Sequence, residues 1–137
     1  MPDKPLRTRP NAKSLGARGE ALVAAHLIAA GWRMLQTNYR TPAGEIDLIA
    51  EQPAPDGSEP TLVFIEVKTR RGARHGTPSE SVQTRKQQKI LAAALYFLAE
   101  RAAGGAEPLC RFDVAEVCIG PEGLGQIRLL HGAFGMA

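Results

Sequence analysis

The sequence has only two cysteines and one tryptophan in 137 residues, and no apolar run long enough to cross a bilayer. Each scarcity excludes something. A membrane-spanning helix needs about 18 or more consecutive apolar residues, and none are present. Cys110 and Cys118 fall in what reads as one strand. At ~3.3 Å per residue they stand about 26 Å apart, whereas a disulfide needs Cα atoms within roughly 7 Å. Reduced thiols and a cytoplasmic location are expected. There is no CxxC, no Walker A and no G-x-S-x-G, so zinc, P-loop and serine-hydrolase chemistries have no support. His26, His75 and His131 are not at metal-ligand spacing. His26 sits on an expected apolar helix face and is read as a core histidine, and Trp32 is read as core. Residues Met1–Lys13 are polar, basic and proline-dotted without an apolar segment, unlike a secretory signal.

What is present suits one ordinary domain. Hydrophobic residues make up 44% and charged residues 23%, and mean hydropathy is −0.17, which excludes a disordered acidic chain. Residues 1–13 read as a disordered basic arm, and residues 14–137 as a single domain with no internal repeat. The pattern predicts a helix from Ser14 as N-cap to Ala30, with Gly31 as its stop. Leu15, Gly19, Leu22, Val23, His26 and Ala30 would share its face, with Glu20 at the edge beside Leu27. Strands follow at 32–39, 45–50 and 61–69, with a turn at 41–44 and an acidic, proline-rich loop at 51–60. Alternation in the second strand sets Ile46 and Leu48 against Glu45 and Asp47. The third strand is apolar on both faces and reads as central. Thr77-Pro78-Ser79-Glu80 is a capping box; a long helix is expected from Thr84 to Ala102, then strands at 109–119 and 126–131. The order α-β-β-β-α-β-β makes an α/β chain, a mixed central β-sheet flanked by α-helices.

Charged residues inside apolar strands carry the chemistry. Glu66 and Lys68 interrupt LVFIEVKTR, and Glu45 and Asp47 interrupt GEIDLIA. Ionised groups are rarely buried unless paired or metal-bound. If the second and third strands are hairpin neighbours, Asp47 and Glu66 can share a face. Convergent carboxylates repel unless a cation joins them, and hard oxygen ligands suit Mg2+ or Mn2+. A nearby lysine can orient or deprotonate a water. An intra-strand ion pair on a half-exposed face fits the same Glu66–Lys68 spacing.

Asp47 followed nineteen residues later by Glu66-x-Lys68 matches the PD-(D/E)xK pattern of restriction-endonuclease-like nucleases, with Ile46 where that pattern often has proline. GARGEALVAAHLIAAGW, NYRTPAGEIDLIA, LVFIEVKTR, Lys86-Gln87, RFDVAEV and HGAF occur in order. Together they resemble the YraN family, bacterial proteins related to archaeal Holliday-junction resolvases. The resemblance implies a restriction-endonuclease-like fold. It implies an acidic, metal-holding site of Glu20, Asp47 and Glu66, with Lys68 as catalytic lysine. It leaves Glu45 a supporting role, sets Lys86 and Gln87 toward the site or the phosphate backbone, and gives Asp113 a structural role.

Charge distribution says more than the net +3. From Lys68 to Lys89 seven bases (Lys68, Arg70, Arg71, Arg74, Arg85, Lys86, Lys89) face one acid, Glu80. Such a run is often a solvated loop, but here it begins at the strand that carries Glu66. With Gln87 these side chains suit sequence-independent, salt-sensitive phosphate binding. The expected activity is Mg2+- or Mn2+-dependent hydrolysis of DNA, branched DNA by the resolvase kinship, with a homodimer compatible. The rival reading is a nucleic-acid-binding module that keeps the fold and works with a protein partner.

Overall fold

Helix α1 ends where its backbone is told to. In the computed structural model, which describes residues 12–72, 82–101, 108–123 and 125–135, α1 spans Ala12–Ala29. Gly31 has φ of 94°. The Trp32 N–H reaches the Leu27 carbonyl and the Gly31 N–H that of Ile28, both at 3.0 Å. This is the Schellman arrangement, possible because glycine has no Cβ to clash at positive φ. Trp32 and Leu27 then pack in one core cluster. Helix α1 starts before Ser14, which is therefore inside the helix and is not its cap. Residues 1–11 of the expected arm, Arg74, His75 and the box at 77–80 lie outside the described residues.

The strands are β1 (Arg33–Thr41), β2 (Gly44–Gln52), β3 (Thr61–Arg71), β4 (Leu109–Ile119) and β5 (Gly125–Phe134), with α2 (Thr84–Arg101) between β3 and β4. They form one sheet in the order β1-β2-β3-β4-β5. Neighbours are antiparallel except β3 and β4, which are parallel. A parallel pair needs a long crossover, and α2 supplies it. Each face of the sheet carries its own core. Phe64, Phe112 and Phe134 stack in sequence on one face, and Phe97 of α2 meets Phe64 edge-on. Val63, Ile65, Val67, Ala115 and Val117 pack with Val23 and Leu27 of α1 on the other. Burying each large side chain contributes about 1.5–3 kcal/mol. The central β3 is covered on both sides, as its sequence predicts.

Two local expectations are overturned. The buried stripe of α1 runs Gly19, Val23, Leu27, four residues apart, so His26 falls outside it and is exposed. Ile46 and Leu48 do not share a face: Ile46 joins Ile49 in the α2-side core, and Leu48 joins Ala50 in the α1-side core. The cause is an irregularity at Asp47. Asn38, which stands opposite it, has φ of 50°. The β1–β2 register passes from Thr37↔Leu48 to Tyr39↔Ile46 without pairing the two residues between. Pairing of β2 with β3 ends at Leu48↔Ile65. Beyond that point the two strands part.

Helix α1 approaches β3 closely at Gly19. A Cβ there would overlap Thr69 Oγ1 and lie 2.9 Å from Thr69 Cβ. Gly19→Ala is expected to destabilise the protein by about 1–3 kcal/mol through overpacking, despite the better helix propensity of alanine. Denaturant midpoints check this, and adding Thr69→Ala should recover part of the loss. A stabilised Gly19→Ala protein would contradict the close approach.

Candidate active site at the parting of β2 and β3

The gap between β2 and β3 leaves a backbone donor to satisfy. Asp47 does so: its Oδ2 accepts the Val67 N–H at 2.8 Å. A side chain thus replaces the strand that has moved away, since a buried amide without an acceptor is costly. The same bond fixes the Asp47 carboxyl beside Glu66. The two groups lie within hydrogen-bonding reach of each other. Glu66 is almost fully buried, at 5% side-chain exposure. Burial and then the negative charge of Asp47 push its pKa up to about 8, against the opposing pull of Lys86 and Lys68. Burial also raises Asp47, while the Val67 N–H, the Glu66 hydrogen bond and Lys86 hold it down. Glu20 on α1 is half-buried; burial first, then the charges of Asp47 and Glu45, raise its pKa.

Two lysines face the pair. Lys68 Nζ lies 3.8 Å and Lys86 Nζ 3.9 Å from the same Glu66 Oε1. Both distances exceed a direct hydrogen bond and are ion-pair contacts. Lys86 reaches Glu66 because α2 begins at this end of the sheet and covers the face to which Glu66 points. The β1–β2 turn fits beneath α2 because Gly44 has no side chain. A Cβ there would lie 2.9 Å from the Lys89 carbonyl.

The remaining expected residues divide. Glu45 is exposed and pairs with Arg40 at 3.6 Å. Gln87 donates its side-chain amide to the Val82 carbonyl at 2.9 Å, tying down the start of α2. Arg71, Arg85 and Lys89 are exposed. Arg70 is held by Glu116 at 3.8 Å. Asp113 is buried on the α1 side, where it accepts bonds from Arg111, at 2.8 and 3.0 Å, and from the Gly132 N–H, and meets His131 Nδ1 at 2.7 Å. That is a brace between β4 and β5, away from the carboxylate pair.

The sequence reading missed Glu116 and Arg128. Glu116 is a fully buried acidic side chain, and Arg128 donates to its Oε1 at 3.0 Å. An acid in the apolar run FDVAEVCI is the same signal that singled out Glu66, and it was legible.

A profile described as "Uncharacterised protein family UPF0102" matches residues 19–117. The chain belongs to that family, the YraN family. A UPF0102 protein of Symbiobacterium thermophilum is 46% identical over 122 residues, covering 89% of this chain and 97% of the relative. Others are 43% identical in Moorella thermoacetica, covering 87% and 93%, and 40% in Rhodococcus opacus, covering 88% and 96%. The YraN profile spans Glu20, Asp47, Glu66, Lys68, Lys86 and Glu116, but ends before Arg128.

The donor set suits a hard divalent cation. Glu20 Oε1 and Glu66 Oε2 are buried oxygens without a hydrogen-bond partner. Among the described residues no three His, Cys, Asp or Glu side chains are grouped to enclose an ion. The site is an open pair, Asp47 and Glu66, with Glu20 at longer range. Mg2+ commonly takes one or two carboxylates and keeps its waters, which a pair satisfies.

The raised pKa of Glu66 has a sign that can be tested in metal-free protein. The unfolded chain ionises Glu66 near 4.5 and the folded chain near 8. Between those values the folded state binds more protons, so stability falls as pH rises and then levels off. Glu66→Gln should melt like wild type below about pH 4.5 and higher than wild type above about pH 8, with chelator present. Parallel pH profiles for the two proteins would refute the burial argument.

Proposed function

We propose that this chain is a divalent-metal-dependent phosphodiesterase of restriction-endonuclease-like architecture that cuts DNA, with branched DNA selected by shape. The observation that carries the reading is the pairing of buried Glu66 with half-buried Asp47, facing Lys68 and Lys86. Two carboxylates forced together at the parting of two strands are unfavourable by themselves. Their cost is understandable if a cation completes them.

Asp47 and Glu66 are the residues to hold Mg2+ or Mn2+, with Glu20 as a further ligand, direct or through water. Bound there, the ion supplies positive charge against the phosphate and its leaving 3′-oxygen. Lys68 orients the attacking water and holds its lone pair toward phosphorus. The water oxygen bonds to phosphorus in line as the bond from phosphorus to the 3′-oxygen breaks. The proton lost by the water passes to solvent, and the departing oxygen takes one up. Lys86 keeps the Glu66 charge compensated while this happens. The exposed Arg71, Arg85 and Lys89 neutralise flanking phosphates without reading bases.

Cleavage of four-way junctions, flaps and linear duplex in Mg2+ or Mn2+ tests this. Asp47→Ala and Lys68→Ala should each lower the rate by about 100-fold or more, while both variants still bind DNA. Cleavage that survives Asp47→Ala would overturn the site. Binding without cleavage under every metal condition would favour the non-catalytic module acting with a protein partner.

A further inference from the structure

Glu116 is a carboxylate with no solvent exposure, at the same end of the sheet as the Asp47–Glu66 pair. It sits on β4 between two arginines. Arg128 of β5, its register partner, donates to Oε1 at 3.0 Å, and Arg70 of β3 stands 3.8 Å from Oε2. Both arginines converge on one carboxyl group and both remain partly open to solvent, with side-chain exposures of 36% for Arg70 and 28% for Arg128.

We propose that Arg70 and Arg128, anchored by Glu116, form a clamp for the DNA backbone next to the phosphate that is cut. This rests on the reading of the carboxylate pair as a DNA-cutting site and adds the path of the strand. Three features lead to it. The first is position: Lys68 is the β3 register partner of Glu116, and Arg128 its partner on β5. Lys68, Glu116 and Arg128 therefore form a row across three strands on the α2 face, with Arg70 one step further along β3. Strands lie about 4.8 Å apart, so Arg128 is roughly 10 Å from β3. That is too far to share the phosphate held at Glu66 and within reach of the same backbone.

The second feature is rigidity. An arginine on a strand near the sheet edge loses rotamer freedom when it grips a phosphate, and a buried carboxylate removes that loss beforehand. The third is charge. Lys68, Arg70 and Arg71 on β3 and Arg128 on β5 stand on either side of Glu116, so a polyanion laid from the β2–β3 gap across β4 meets basic side chains on both strands. The guanidinium forks suit phosphate oxygens. The clamp fixes the direction of the backbone and leaves base sequence unread.

Salt-dependent binding of a fluorescent four-way junction and of a duplex, in chelator so that no cutting occurs, tests the clamp. Arg128→Ala and Arg70→Ala should each bind several-fold more weakly, with a slope of log affinity against log salt shallower by about one. Arg128→Lys should keep the slope while binding more weakly, because a point charge replaces a fork. Thermal melts confirm folding. If Arg128→Ala does not fold, Arg128→Lys decides: weaker binding supports the clamp and wild-type affinity overturns it. Wild-type slopes in both alanine variants, with the wild-type protein binding DNA, would overturn the clamp and leave the DNA-cutting reading standing. A wild-type protein without salt-sensitive DNA binding would overturn both.

Discussion

The bond from the Val67 amide to the Asp47 carboxylate is the point on which the rest turns. A central strand must have its amides satisfied on both sides. Where β2 leaves β3, a side chain meets that demand, and the demand in turn fixes the side chain. Asp47 cannot move away from Glu66 without orphaning a buried amide. A structural requirement of the backbone therefore holds two carboxyl groups together. Burial, and after it the Asp47 charge held close by this bond, raises the pKa of Glu66.

The two helices bring the remaining groups to this point from opposite faces. Helix α1 can place Glu20 near Asp47 because Gly19 lets it settle against Thr69. Helix α2 can place Lys86 over Glu66 because Gly44 lets the β1–β2 turn fit beneath it. Both glycines act by removing a side chain at a contact, and each stands one or three residues from an acid of the candidate site.

Most of the architecture was legible in the sequence because periodicity and stop signals agree with one another. The Gly31 stop, the start of α2 at Thr84 and the full extent of β4 follow from local patterns that tertiary packing did not override. The failures share a cause. The face of Ile46 and Leu48 depends on how Asn38 and Asp47 distort a pair of strands, and no period-2 reading contains that. The exposure of His26 depends on which of two nearly equivalent helical stripes the sheet accepts. Asp47, Glu66 and Lys68 were legible as charges in apolar strands. Their mutual distance was not, because it is set by where the β2–β3 ladder stops. Glu116 carried the same signal as Glu66, but its arginine partners come from strands far apart in the chain.

The connection from β2 to β3 lies at the opposite end of the sheet from the carboxylates. Asp47 is near the start of β2 and Glu66 past the middle of β3, so residues 53–60 stand about 17 Å away along the strands. The candidate site and the chain reversal are thus separated by the length of the hairpin. The tip is a natural attachment point for a fluorophore, an affinity tag or a tether to a surface, placed away from the carboxylate pair.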